Sequence, residues 1–250
     1  MAPIKIAAIV LKKNNFRETS VILSLYSQQM GKVRCVLKGV RTHNSRVPPL
    51  TFTPGSLIYG FYYMRRSELG LLSSPVLVNA HEIQKRKNLV VWYIILNLVN
   101  LFTPEREKEE KLFLLLKDAG RLLSLLDTPE ILFVGFKIKL VEILGYGVEL
   151  NRCIICGQQD RTYLFSGKSG GLVCANCRKK DIDPVRISPN VITVMKHLKK
   201  TDFLKIGMIK KIPMDILSSI NFYMNITLNY HTGLNKIWWG DEKDILSNNH

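Results

Sequence analysis

Acidic residues are almost missing from the first 80 positions, where 11 Lys+Arg face only Glu18 and Glu68. Solubility does not require a region so free of acids. The imbalance therefore points to a polyanionic partner, either nucleic acid or an anionic membrane face. The rest of the chain is less one-sided. Residues 81–150 balance 10 cations with 10 acids, and residues 151–250 carry 15 against 8, within a total charge of +16. Long hydrophobic runs are also lacking. The longest, Leu89 to Phe102, is about half a membrane thick and is broken by Asn97 and Asn100, so it reads as a buried helix rather than a span. No secretory leader is evident, because Ala7 to Leu11 runs straight into Lys12 and Lys13. A cytoplasmic protein is the expectation. The chain has no Gly-rich phosphate loop of Walker type and no His-Glu-x-x-His motif, and its 5 histidines are scattered. A non-enzymatic protein with no catalytic residues is expected.

Cysteine is scarce too, yet four of the 5 fall into two Cys-x-x-Cys pairs, Cys153/Cys156 and Cys174/Cys177. Two intervening residues let one short turn supply two ligands, and the separation of the pairs suits a zinc ribbon. Four thiolates fill a tetrahedral shell and leave no position for water or substrate, so one structural Zn²⁺ is expected. A reducing compartment favours metal over disulfides. A redox pair is the rival reading; it would normally open a helix in a βαβ context, which the pattern does not offer. Cys35 stands alone on an apolar face and reads as a core residue.

The first 80 residues read as about five strands: Ile4 to Lys12, Val21 to Tyr26, Val33 to Lys38, Ser56 to Met64 and Leu69 to Val78. Five short strands in one small basic domain fit an OB-fold β-barrel, although another barrel of similar size would give the same pattern. From about Asn79 the period becomes helical, over 81–103 and 105–127, with Thr103 as N-cap and Pro104 at the first helical position of the second. Thr128-Pro129-Glu130 opens a third helix to about Leu144. The cysteine module follows, then helices from Ser188-Pro189 to Lys200 and from Pro213 to about Tyr230. The acidic tail beyond Trp239 is expected to fray. The class is α+β and multidomain: an OB-fold over 1–80, a helical domain in two parts over 81–150 and 181–250, and an inserted four-cysteine zinc module over 151–180.

The candidate nucleic-acid site is the set of cations in the barrel's loops and turns: Lys12, Lys13 and Arg17 around Phe16; Lys32 and Arg34; Lys38, Arg41 and Arg46, with His43 between; and Arg65 and Arg66. Such cations neutralise phosphates, while aromatics stack on unpaired bases. Tyr26, Tyr62 and Tyr63 divide evenly between stacking platform and barrel core.

At four stretches the chain resembles the bacterial DNA repair and recombination mediator family RecO. These are Ala8-Ile9-Val10-Leu11 with Arg17-Glu18-Thr19-Ser20; Lys38-Gly39-Val40-Arg41 with Ser45; Leu144-Gly145-Tyr146 through Leu150; and Cys153, Cys156-Gly157, Phe165, Gly170-Gly171, Cys174 and Cys177. The loop departs from the family pattern at Thr42-His43, where a second basic residue is usual. The resemblance implies an OB-fold, a helical domain with a zinc module, and binding to single- and double-stranded DNA. It also implies strand annealing and, with RecR as partner, help in loading RecA onto DNA coated by single-strand-binding protein. An RNA-binding or ribosome-associated OB and zinc-ribbon protein, and a helical protein-interaction adaptor, are the alternative readings.

Overall fold

A computed structural model describes residues 2–65, 68–159, 163–181, 183–209 and 211–232. Contacts divide the chain into two compact units, Met1–Leu126 and Asp127–His250.

The first unit is built on a closed barrel of β1 (Ile4–Phe16), β2 (Ser20–Ser27), β3 (Gly31–Leu37), β4 (Leu57–Tyr63) and β5 (Gly70–Asn79). The strand order is β1-β2-β3-β5-β4, closed by β1 against β4, and the β3–β5 pair is parallel while the others are antiparallel. This is the OB-type architecture. Strand alternation sends Ile6, Ala8, Val10, Leu23, Leu25, Cys35, Ile58 and Tyr62 into one core. A 3-10 turn, Pro49–Phe52, adds Phe52 to that core. β1 runs past its β4 partner, ending at Phe16, so Lys12 to Phe16 pair only with β2. A register shift between Val10 and Lys12 marks where this ribbon departs.

Two helices complete the unit: α1 (Arg86–Phe102) and α2 (Glu110–Leu125). α1 lies on the outer face of the barrel. The Ser24 hydroxyl donates to Asn100 Oδ1 at 2.6 Å, and Lys32 Nζ donates to the Asn100 carbonyl at 2.9 Å. Gly55 sits beside Trp92, where a Cβ would fall 2.2 Å from the indole nitrogen. The apolar run interrupted by asparagine is thus a barrel-covering helix, and no described helix is long and apolar enough to cross a membrane.

The start of the second helix differs from the sequence reading. Thr103 closes α1, its hydroxyl donating back to the Val99 carbonyl at 2.6 Å. The chain then crosses the start of β3. Glu105 bridges to Lys32, and the Arg106 amide donates to the Lys32 carbonyl at 2.8 Å. α2 begins only at Glu110, with the Glu109 carboxylate accepting from the Lys111 amide. The free backbone of β3 outcompetes one helical turn for these residues. The acids at 105–109 therefore form a strap over the barrel rather than the first turn of a helix.

In the second unit, α3 (Glu130–Ile143) is buried on nearly every side, as an apolar helix without a polar stripe must be. It packs with α4 (Pro189–Lys200), α5 (Phe203–Ile206) and α6 (Met214–Thr232). Ser188 caps α4 by accepting from the Val191 amide. Between α3 and α4 lies a small antiparallel sheet of β6 (Tyr163–Ser166), β7 (Gly171–Cys174) and β8 (Val185–Arg186), ordered β7-β6-β8. The sheet is fastened to α6. Phe165 packs on Tyr223 with ring centroids 4.9 Å apart, and Tyr223 donates to the Arg186 carbonyl at 2.5 Å. The tail beyond Trp239 lies outside the described residues.

Candidate metal centre and nucleic-acid surface

The sulfurs of Cys153, Cys156, Cys174 and Cys177 all lie within 4.8 Å of one another. Two knuckles bring them there. In the first, the Gly157 amide donates to the Cys153 carbonyl at 2.8 Å, and Gly157 takes the left-handed conformation (φ 74°) that lets the chain turn back. In the second, β7 delivers Cys174 and a 3-10 turn over Ala175–Lys180 delivers Cys177. The Cys174 amide donates to Cys153 Sγ at 3.4 Å, tying one knuckle to the other. Cys153, Cys174 and Cys177 are buried and Cys156 is exposed.

The electrostatics fit a cation. Burial opposes ionisation of Cys153, but the amides of Cys174, Cys156 and Ile155 outweigh it and bring the thiol down to about 6. Burial and the competing thiols push Cys177 up to about 12. Four thiols this close cannot all ionise unless a positive ion sits among them. Among the described residues the donor set is four sulfurs, so the group can hold one soft divalent metal. Among the described residues neither pair opens an α-helix in a βαβ unit, the setting that the rival redox reading would need.

The structure divides the candidate DNA-binding cations. Lys12, Lys13, Arg17, Lys38, Arg41 and Arg46 are exposed. They lie on the overhanging end of β1, the β1–β2 turn and the β3–β4 loop, which meet at one end of the barrel. There the Arg41 guanidinium donates to the Arg17 carbonyl at 3.0 Å, and the Arg41 amide to the Thr19 carbonyl at 2.9 Å. Arg17 lies over the Phe16 ring and Lys13 over Phe52. Glu18 is the one acid in these loops.

Lys32 and Arg34 are placed differently. Both are half-buried at the start of β3, at the other end of the barrel. Desolvation lowers the Lys32 pKa, partly offset by Glu105, and its ammonium is engaged by Asn100. Arg34 pairs with Glu68 and Glu105, each at 2.6 Å. These two cations hold the strap in place. Arg65 is exposed in the β4–β5 turn, and Arg66 lies outside the described residues.

Tyr26 and Tyr62 are both buried, at 1% and 0% exposure, Tyr62 in the barrel core and Tyr26 on the outer face of β2. Tyr26 donates to the Glu109 carbonyl beneath the strap. Tyr63 is half-buried. The exposed aromatics of the barrel are instead Tyr59 and Phe61 on β4, which the sequence reading passed over. The parity of β4 was the available signal: with Tyr62 inside, residues 59, 61 and 63 must face out. Lys137 was also missed. It is fully buried in α3 and donates to Asn221 and Asn225 of α6 at 2.7 and 2.6 Å. His81 lies outside the helices. It precedes α1 and packs edge-on against Trp92, 5.9 Å between centroids.

The N-terminal model of recombination protein O matches residues 1–81, and its C-terminal model matches residues 84–223. The chain belongs to the recombination protein O family. It is 32% identical to the DNA repair protein RecO of Thermoanaerobacter sp. (strain X514), over 84% of this chain and 85% of that protein. It is 30% identical to the RecO of Pelotomaculum thermopropionicum, over 91% and 88% of the two chains. With that of Bacillus subtilis it shares 26% over 81% and 80%. RecO membership agrees with the order found here, a barrel followed by a helical part carrying four clustered cysteines.

Proposed function

We propose that this chain works in DNA repair and recombination as a non-enzymatic mediator. It binds single- and double-stranded DNA, anneals complementary strands, and with RecR assists loading of RecA onto strands coated by single-strand-binding protein. The observation that carries this reading is the cluster of six exposed cations that the Arg41–Arg17 link assembles at one end of the barrel. Annealing is downhill once phosphate repulsion is reduced, so such a cluster needs no nucleotide hydrolysis and no catalytic side chain. The proposed setting is the cytoplasm, at the nucleoid. The proposed metal is one Zn²⁺ held by Cys153, Cys156, Cys174 and Cys177, whose full thiolate shell gives it a structural role.

The test is the salt dependence of oligonucleotide binding by Lys38→Ala/Arg41→Ala. Loss of two phosphate contacts should flatten the log–log slope for single strands by about 1.4 and lower affinity at low salt. An unchanged slope would remove this loop from the site. RNA of the same sequence supplies the second arm: strong preference for RNA would move the chain to the RNA-binding reading.

A further inference from the structure

The outer surface of the barrel is unevenly covered. Over β2 and β3 it is sealed by α1 and the 103–109 strap, through Asn100, Lys32 and Tyr26. Over β4 and β5 it is open, with Tyr59 48%, Phe61 42%, Val76 62% and Val78 43% exposed. Tyr59 and Phe61 alternate with the inward Ile58 and Tyr62, so they stand on one face about 6.8 Å apart. Val76 is directly opposite Tyr59, and Lys5, exposed, is directly opposite Phe61. Directly paired residues project to the same side of a sheet, so Lys5 flanks the ring. Exposed Arg65 follows two residues beyond the end of the same strand, in the β4–β5 turn. β1, β4 and β5 contain no acidic residue at all.

We infer that the outer face of β4, with Tyr59 and Phe61 as the rings and Lys5 and Arg65 as the flanking cations, is a stacking platform for the bases of single-stranded nucleic acid. This rests on the DNA-binding reading and deepens it. The basic end of the barrel treats single and double strands alike, because it sees only phosphate. Flat rings at alternate strand positions accept bases only when these are unpaired. The charge decides the occupant: a face with cations at its edge and no acids in its strands complements an anionic chain carrying aromatic bases. The covered β2–β3 face cannot serve in this way while α1 and the strap lie over it.

The experiment compares fluorescence-labelled oligo(dT) with an abasic oligonucleotide of equal length, at fixed salt, on the full chain. Tyr59→Ala/Phe61→Ala should weaken oligo(dT) binding roughly fivefold or more for each ring removed, with abasic binding and the salt slope unchanged. Phe61→Trp should keep oligo(dT) affinity, and its added emission should be quenched by oligo(dT) but not by the abasic strand. This second variant guards against a fold lost with the double alanine. Equal losses on both strands, or no loss on either, overturn the proposal while leaving the phosphate-binding loops in place. So does unchanged oligo(dT) affinity with lost capture of single-strand-binding protein, which would give the face to a protein. A wild-type chain that binds neither strand overturns the DNA-binding reading as well.

Discussion

At Cys35 the thiol is enclosed by the barrel core, and burial pushes it up to about 12. Its stabilising contribution is therefore intact below the unfolded thiol range near pH 9. It is lost as pH rises towards 12, because the unfolded chain releases the proton first. The stability gap between wild type and Cys35→Ala should accordingly narrow above pH 9, as read by urea unfolding across a pH series. Cys153 belongs to the same residue type in an opposite setting, with amide donors around its sulfur. Cys153→Ser should reduce bound metal to well below one equivalent, whereas Cys35→Ala should leave metal content unchanged. Atomic emission on purified protein separates the two. Lys137 is the third residue of consequence. Lys137→Ala removes a buried donor from both Asn221 and Asn225, and a broken buried polar set of this kind costs about 3 kcal/mol or more. Lys137→Gln, which keeps a donor, should cost less in the same denaturant titration.

Among the elements, the strap between α1 and α2 is where local and tertiary preferences conflict. Thr103-Pro104 with four following acids is a sound helix-start signature, yet Glu105 and Arg106 are taken by β3. Gly31 makes this possible. It opens β3 at φ 68°, and a Cβ there would lie 1.9 Å from the Glu107 carbonyl oxygen. Gly31→Ala should destabilise the chain by at least about 2 kcal/mol, combining left-handed strain with a clash against backbone. Faster hydrogen exchange across 103–109 would locate the damage in the strap. The β1 overhang is the opposite case, where length alone has a consequence. By continuing past β4, it carries Lys12 and Lys13 to the end of the barrel where Arg17 and Arg41 meet.

For the whole molecule, the division at Leu126 places the four-cysteine cluster and the basic barrel in different compact units. Metal removal should therefore act on Asp127–His250. A strong chelator is expected to lower the stability of that unit by more than about 3 kcal/mol while oligonucleotide affinity changes less than twofold. Unfolding followed in parallel by tyrosine fluorescence and oligonucleotide anisotropy checks this. Loss of binding at the chelator concentration that strips the metal would contradict the proposed division of labour.

The gathering of the four cysteines was legible from spacing, because a knuckle is a local structure that two intervening residues nearly define. The barrel strands were legible from alternation, and α3, α4 and α6 from their starting residues. What the sequence could not decide was which cations and rings remain available. Lys32 and Arg34 look like Lys38 and Arg41 in the sequence, but Asn100, Glu68 and Glu105 reach the first pair and not the second. Tyr62 and Phe61 are neighbours of similar character, and closure of the barrel puts one at 0% exposure and the other at 42%. Residue type and short-range spacing determined the chemistry on offer. Only tertiary packing, which brings together residues far apart in the chain across the barrel surface, decided which of it faces solvent.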